Sequence, residues 1–339
     1  MKCIIHTKYC ILHFLGTILI LLLLTPLVYN YIPVQKGKTT FYLPSSDIDS
    51  VIDTLKENGY SVSKIDKIML QFFKIPTKGW YSIRKIPEQR FTFFEILSSQ
   101  KAKTMRVKLY AGETSIELTK RLAYDLKLNE KKLLEEYRKL SKYLEGDILS
   151  GYYKVARKAD EHAIITALYQ MSQEKFKSFT LLNCSAIESN ELELKVLLIL
   201  ASIIQKETYH TSEMPIIASV IENRLNKGMK LQMDGTLSYG EYAHQPITSK
   251  RIRKDKSYYN TYIHGGIPPT PLCTVSIKAL DAVLYPEKTD YLYFMLNKEG
   301  KHDFSVSYKE HIENIKAFKS NKHEKDSNTS IKPKPKPSV

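Results

Sequence analysis

The sequence is poor in the residues that build stapled or metal-bound folds. Its 339 residues contain only four cysteines, Cys3, Cys10, Cys184 and Cys273, too few and too scattered for a disulfide scaffold or a zinc ribbon. Glycine (13) and proline (14) are sparse and 43% of residues are hydrophobic, which excludes collagen-like and low-complexity chains. Acids are in deficit, 36 against 51 lysines and arginines, leaving a net charge of +15. That imbalance favours an anionic partner: nucleic acid, anionic lipid or an acidic polymer. No G-x-S-x-G, P-loop or G-x-G-x-x-G motif occurs. His210 follows Glu207 by three residues without a second ligand cluster, so neither a metal nor a cofactor is expected.

Charge is missing altogether between Lys8 and Lys36. Within that gap Ile11 to Tyr29 is almost continuously apolar, and nineteen helical residues span roughly 28 Å, about a bilayer core. A cleaved signal peptide would have a shorter apolar run ending in a small-x-small site. Here the run ends Thr25, Pro26, Leu27, Val28, Tyr29, so an uncleaved anchor is the expectation. Lys2 and Lys8 on the short side place that stub in the cytoplasm and the remainder outside. An exported domain rarely meets DNA or RNA, so nucleic acid is not an expected partner. In an oxidising compartment Cys184 and Cys273 have the opportunity to pair.

Beyond the anchor the pattern reads as α+β. Helical spacing of Ile48, Val51, Ile52 and Leu55 predicts a helix over 48–58 stopped by Gly59; Trp80 to Ile83 reads as a strand, and Phe91 to Leu97 as a helix with Thr92 as cap. A strand at Val107–Tyr110, a turn at Gly112-Glu113-Thr114, a helix from Ile116, a helix from Glu130 to Leu140 and a strand over 147–155 make a βααβ unit. This unit resembles a LysM-type glycan-binding module, and a βααβ unit used only for packing fits the residues as well. Helices are then expected from Asp160 to about Phe176, after Asn190, from Pro215 with Ser212 as cap, over 276–284, and from Tyr308 to Phe318. Strands are expected over 291–296 and 302–305. The chain so divides into a stub (1–10), a transmembrane helix (11–31), an α/β region (36–104), the LysM-like unit (105–157), a helix-rich catalytic region (158–319) and a Lys/Pro tail (320–339).

The chemistry concentrates in three segments. Val196 to Ile204 is apolar on nearly every face except at Ser202, so that helix is buried. Glu207 follows with Ile204, Ile203 and Leu200 as its i−3, i−4 and i−7 neighbours, placing a carboxyl over the apolar stripe at a helix C-terminus. Burial and the helix dipole both disfavour its ionised form, as a general acid near neutral pH requires. The plain alternative is a glutamate marking where the helix reaches solvent. The second segment, 228–240, carries Gln232, Asp234, Thr236 and Tyr239 in a loop. The third, 258–271, sets Tyr258, Tyr259, Asn260, Tyr262 and His264 among glycines and prolines. Aromatic faces beside amide and hydroxyl groups suit a saccharide groove, though a Tyr/Pro-rich structural loop has the same composition.

Taken in order, LASIIQKET (200–208), IASVIENRL (217–225), GMKLQMDGT (228–236), YNTYIHGGIPPTP (259–271), TDYLYF (289–294) and HDFS (302–305) resemble the YceG-like endolytic murein transglycosylases, the MltG family. The resemblance implies an enzyme of the bacterial inner membrane with its catalytic domain outside the cytoplasm. It would cut nascent, uncrosslinked peptidoglycan strands at the MurNAc-β-1,4-GlcNAc bond, leave 1,6-anhydromuramic ends and so end strand elongation, with cell-wall synthases as candidate partners. It also implies that Glu207 is the catalytic acid and that Gln232, Asp234, Thr236, Tyr239, Asn260, Tyr262 and His264 contact or orient substrate. Two departures stand out: Gln205 replaces the first glutamate of a common Glu-Lys-Glu-Thr run, and Gly235 replaces a proline after the loop aspartate, which would loosen that loop. A muramidase using water instead of the C6 hydroxyl, and a non-catalytic glycan-binding scaffold, are the alternatives.

Overall fold

The computed structural model describes residues 2–183, 190–240 and 245–329. In chain order the elements are α1 (Lys2–Asn30), β1 (Thr40–Leu43), α2 (Ile48–Glu57), α3 (Lys64–Leu70), β2 (Gly79–Ser82), α4 (Arg90–Leu97), β3 (Thr104–Leu109), α5 (Ser115–Leu126), α6 (Glu130–Leu140), β4 (Gly151–Ala156) and α7 (Glu161–Leu182). There follow α8 (Glu191–Glu207), α9 (Met214–Asn226), α10 (Asp234–Leu237), α11 (Ser249–Lys254), α12 (Ile277–Leu284), β5 (Tyr293–Leu296), β6 (His302–Ser305) and α13 (Tyr308–Thr329). Among the described residues the named strands pair as β1–β2, β3–β4 and β5–β6: a mixed, α+β architecture. The chain forms two compact units, one from Met1–Val107 and Tyr153–Met171, the other from Lys108–Tyr152 and Ser172–Val339.

In the first unit β1 and β2 are antiparallel, from Thr40 opposite Ser82 to Leu43 opposite Gly79. Phe41, Leu43, Ile52, Leu55, Phe93 and Phe94 are almost wholly buried beside that ribbon, each contributing about 1.5–3 kcal/mol of hydrophobic stabilisation. Asp47 caps α2 by accepting the Ser50 N–H. β1 and α3 carry too few residues to announce themselves by periodicity, and α4 opens at Gln89 without a side-chain cap, so Thr92 is not its cap. A buried ion pair joins α3 to α4: Arg90 Nη1 donates to Asp66 Oδ2 at 2.8 Å, and both side chains are inaccessible. The last turn of α1 enters the same cluster. Tyr29 hydroxyl donates to Asp66 Oδ2 (3.1 Å) and bonds Ser63 Oγ (2.8 Å), while Arg90 lies over the Tyr29 ring at 4.6 Å and donates from Nε to the Ile32 carbonyl. Asn30 accepts the Phe91 N–H at 2.8 Å. His13–Asn30 is the one helical stretch among the described residues long and apolar enough to cross a membrane, and only its last two residues, Tyr29 and Asn30, enter that cluster.

The β-α-α-β order runs β3, α5, α6, β4, with α5 and α6 in the second unit. Thr114 and Glu117 form a capping box that starts α5, and Lys127 ends it in the left-handed region at φ 56°. The Gly-Glu-Thr turn is engaged in packing: Gly112 N–H donates to the Thr274 carbonyl (2.8 Å), Thr274 N–H to Glu113 (2.8 Å), and Ser150 N–H to Val275 (2.9 Å). Glu145 is buried, accepting from the Ser115 N–H (2.6 Å) and hydroxyl (2.8 Å). Burial pushes its carboxyl up to about 7, against those bonds. The main core gathers α8, α9 and α12 with Leu231, Met233 and Leu272. Asn190 and Ser276 cap α8 and α12. Ser212 does not cap α9, which opens at Glu213 with Pro215 in its first turn. α13 runs to Thr329, past the expected end at Phe318, because Ser320–Thr329 holds no glycine or proline to stop it. Cys273 is fully buried, and Cys184, its suggested partner, lies outside the described residues.

Candidate active site

Glu207 is the last residue of α8, and Thr208 leaves the helix in extended conformation. The carboxyl is half-buried and has one hydrogen bond assigned to it: Oε1 accepts the Gly235 N–H at 2.8 Å. Burial is the largest influence and pushes it up to about 7; the Asp234 charge adds to this, while the Gly235 N–H and Arg224 oppose it. A carboxyl half-protonated near neutral pH can give a proton to a bridging oxygen and take one back. The neighbouring glycine is not a loosening device. A Cβ on Gly235 would stand 2.6 Å from Lys206 Cβ and 2.9 Å from Glu207 Oε1, so the absence of a side chain is what lets the amide reach the carboxylate.

The loop that delivers this amide is held from behind. Gln232 N–H donates to the Thr261 carbonyl (3.1 Å), Met233 N–H to Thr261 Oγ1 (3.1 Å), and Thr236 and Thr261 hydroxyls share a bond of 2.9 Å. Thr236 and Thr261 are buried; Gln232 and Asp234 are exposed. Gln232 adopts φ 50°, a costly conformation for a residue with a Cβ, which this anchoring imposes. Tyr262 hydroxyl donates to Asp234 Oδ1 at 2.6 Å, and burial with that bond raises the phenol above its usual range. Glu207, Asp234, Thr236 and Tyr262 therefore meet around the short helix α10, with Gln232 at its approach.

The other expected site residues have different duties. Tyr239 packs against Tyr259 with ring centroids 4.5 Å apart, and Tyr259 hydroxyl bonds Thr270 Oγ1 at 2.7 Å. Asn260 is fully buried; its amide donates to the Ile252 and Asp255 carbonyls, both at 2.8 Å, and its Oδ1 accepts the Tyr262 N–H. It shapes the loop and leaves no donor for a sugar. His264 bonds the Lys256 carbonyl at 3.2 Å beside the ring of Tyr258. His210 bonds the Gly300 carbonyl, and no group of three metal-ligating side chains occurs among the described residues. The hollows of about 310 and 670 Å³ on this unit are lined by α8, α9 and α12 and the segment after α12, and contain none of the Glu207 cluster.

One residue that the sequence did not single out belongs to the site. Arg224 is buried, donates from Nε to the Leu292 carbonyl (2.6 Å) and from Nη1 to the Leu231 carbonyl, and is the cation that acts on Glu207. Ser219, Glu222, Asn223 and Asn226 lie on the same helix, so nothing local set this arginine apart. Lys206 turns away from its neighbour and donates to the Gly112 carbonyl at 2.8 Å, so it does not neutralise Glu207.

Residues 43–317 match the YceG-like family. The chain belongs to the YceG-like family. An endolytic murein transglycosylase of Bacillus subtilis (strain 168) is 36% identical to this YceG-like chain over 141 residues, 42% of the chain and 39% of that protein. One of Streptococcus pneumoniae (serotype 2, strain D39) is 27% identical over 178 residues, 51% of the chain and 32% of that protein. The matched stretches thus span under two fifths of these curated relatives. A crystal structure of a YceG-like protein from Listeria monocytogenes superposes with a TM-score of 0.51 at 24% identity, covering 82% of this chain and 99% of that one. That likeness is one of fold.

Proposed function

We propose that this YceG-like protein is a lytic transglycosylase of peptidoglycan, anchored by α1 in the cytoplasmic membrane with the chain after α1 outside. The observation that carries the reading is Glu207: a carboxyl raised to about 7 by burial, fixed by one backbone amide. The names of the relatives from Bacillus and Streptococcus support the same reaction class.

Glu207, protonated, gives its proton to the oxygen of the MurNAc-β-1,4-GlcNAc bond, and the C1–O bond breaks as the GlcNAc hydroxyl leaves. The carboxylate then removes the proton from the muramic C6 hydroxyl while O6 bonds to C1. The proton count closes, water is not consumed, and the product carries a 1,6-anhydro ring. One carboxyl serves both steps, so the nucleophilic or water-activating partner of ordinary glycosidases has no task here. Arg224 and the Gly235 amide stabilise the carboxylate formed after the first transfer. Asp234, exposed and held by Tyr262, and exposed Gln232 take the role of contacting the sugars in this reading.

The test uses the full chain in detergent, digesting uncrosslinked nascent peptidoglycan, with products read by mass spectrometry. Anhydromuramic ends that disappear by at least about 10³-fold in Glu207→Gln are the expected result, with wild-type activity falling as pH rises past about 7. Reducing ends would identify a muramidase. Unchanged cleavage by the folded variant would refute Glu207 as the acid, and glycan binding without cleavage by either form would identify a scaffold.

A further inference from the structure

α3 and the turn after it divide cleanly into two faces. Asp66, Met69 and Leu70 point inward and are buried. Ile65, Ile68 and Phe72, at i, i+3 and i+7, point outward and are 48%, 60% and 79% exposed. Phe73, the next residue, turns back into the core against Phe91. Lys64 and Lys74 are exposed at either end of this apolar face, whereas Lys67 is paired with Asp49. Bulky apolar side chains clustered on a helix face, with lysines at the margin, mark an interaction surface.

The neighbourhood indicates which surface. Ser63 and Asp66, at the start of α3, bond the hydroxyl of Tyr29 in the last turn of α1. Arg90 fastens Asp66 to the Ile32 carbonyl, and Phe91 N–H is bonded to Asn30. No free linker separates α1 from α3; the apolar helix runs into the cluster on which α3 begins. Tyr31 and Ile32, in the junction, are themselves 71% and 50% exposed.

We infer that the outer face of α3, with Ile65, Ile68 and Phe72, rests in the interfacial layer of the bilayer beside the exit point of α1, with Lys64 and Lys74 on anionic lipid headgroups. The inference rests on the reading of α1 as a membrane span. Apolar side chains enter the headgroup boundary while lysines stay at the charged surface, the arrangement of an interfacial helix. A single span leaves a protein free to tilt and swing, and a second contact beside it removes that freedom for the first unit.

The experiment reconstitutes the full chain carrying Phe72→Trp in phosphatidylglycerol-containing vesicles. The sole native tryptophan, Trp80, is buried, and the parent chain supplies its signal for subtraction. With lipids brominated near the headgroup end of their acyl chains, the added emission is expected to fall at least about two-fold relative to unbrominated vesicles, as for an interfacial side chain. The fall should be smaller in phosphatidylcholine alone. Unquenched emission from a chain that floats with the vesicles overturns the contact and assigns the face to a protein partner. Equal quenching in both lipids overturns the role of the two lysines. A chain that fails to float overturns the anchor, and the docking with it.

Discussion

Asp66 in the first unit and Glu207 in the second are carboxyls withdrawn from water in different ways. Asp66 is given partners: its Oδ2 receives Arg90 Nη1, the Ser63 N–H and the Tyr29 hydroxyl. Glu207 has the Gly235 N–H on one oxygen, and the arginine near it, Arg224, bonds backbone carbonyls instead. A buried carboxylate with three donors on one oxygen, one of them an arginine, is a structural fixture whose removal leaves a stranded cation. A buried carboxyl with a single amide keeps its proton to higher pH and can trade it. Glu145 stands between them: buried like Asp66 and raised to about 7 like Glu207, but with both oxygens occupied by Ser115. A raised pKa alone does not mark a general acid, and neither does an unfilled oxygen alone, for Asp66 Oδ1 is buried without a partner while its Oδ2 holds three donors; Glu207 combines a raised value with a single amide.

This contrast can be broken in order of size. Asp66→Ala should destabilise the first unit by about 3–5 kcal/mol, because Arg90 is left charged and buried; chemical denaturation reads it, and a loss under 1 kcal/mol would put Asp66 outside the structural class. Glu207→Gln should act in the opposite direction. A carboxyl whose folded value is raised from 4.5 to about 7 loses stability as pH climbs between those values. The glutamine variant should accordingly match wild type near pH 4 and exceed it by up to about 3 kcal/mol at pH 8. Equal pH profiles of melting temperature would mean that the carboxyl is not raised. Gly235→Ala forces apart atoms 2.6 Å away, for an expected 1–3 kcal/mol of strain. It should also lower kcat more than KM changes, as the amide withdraws from Glu207. The smallest effect is Tyr262→Phe, which removes the hydroxyl on exposed Asp234; about 1 kcal/mol, or roughly five-fold in kcat/KM, is expected.

Legibility in the sequence follows the range of the interaction. The apolar run of α8 and the carboxyl at its end are local, and both appear where periodicity places them. So do the Asn190 cap of α8 and β6. Gly235 read as a loosened loop because its partner, Glu207, lies 28 residues away. Lys206 and Gly112 are 94 residues apart, and no spacing rule relates them. Asn260 illustrates the reverse error: an asparagine among tyrosines looks like a sugar ligand until its amide is found closing its own loop.

The backbone bonds from Gly112, Glu113 and Ser150 to Thr274 and Val275 bear on how such a chain can evolve. Recombination exchanges a domain cheaply when its edges carry only side-chain contacts. Here both ends of the α5–α6 segment are stitched through peptide groups to the stretch before α12, and Lys206 adds a third stitch beside Glu207. A foreign segment grafted at this place would have to reproduce those main-chain positions to leave Glu207 undisturbed. The segment is therefore expected to be inherited together with α8 and α12, its surface free to drift while its seams stay fixed.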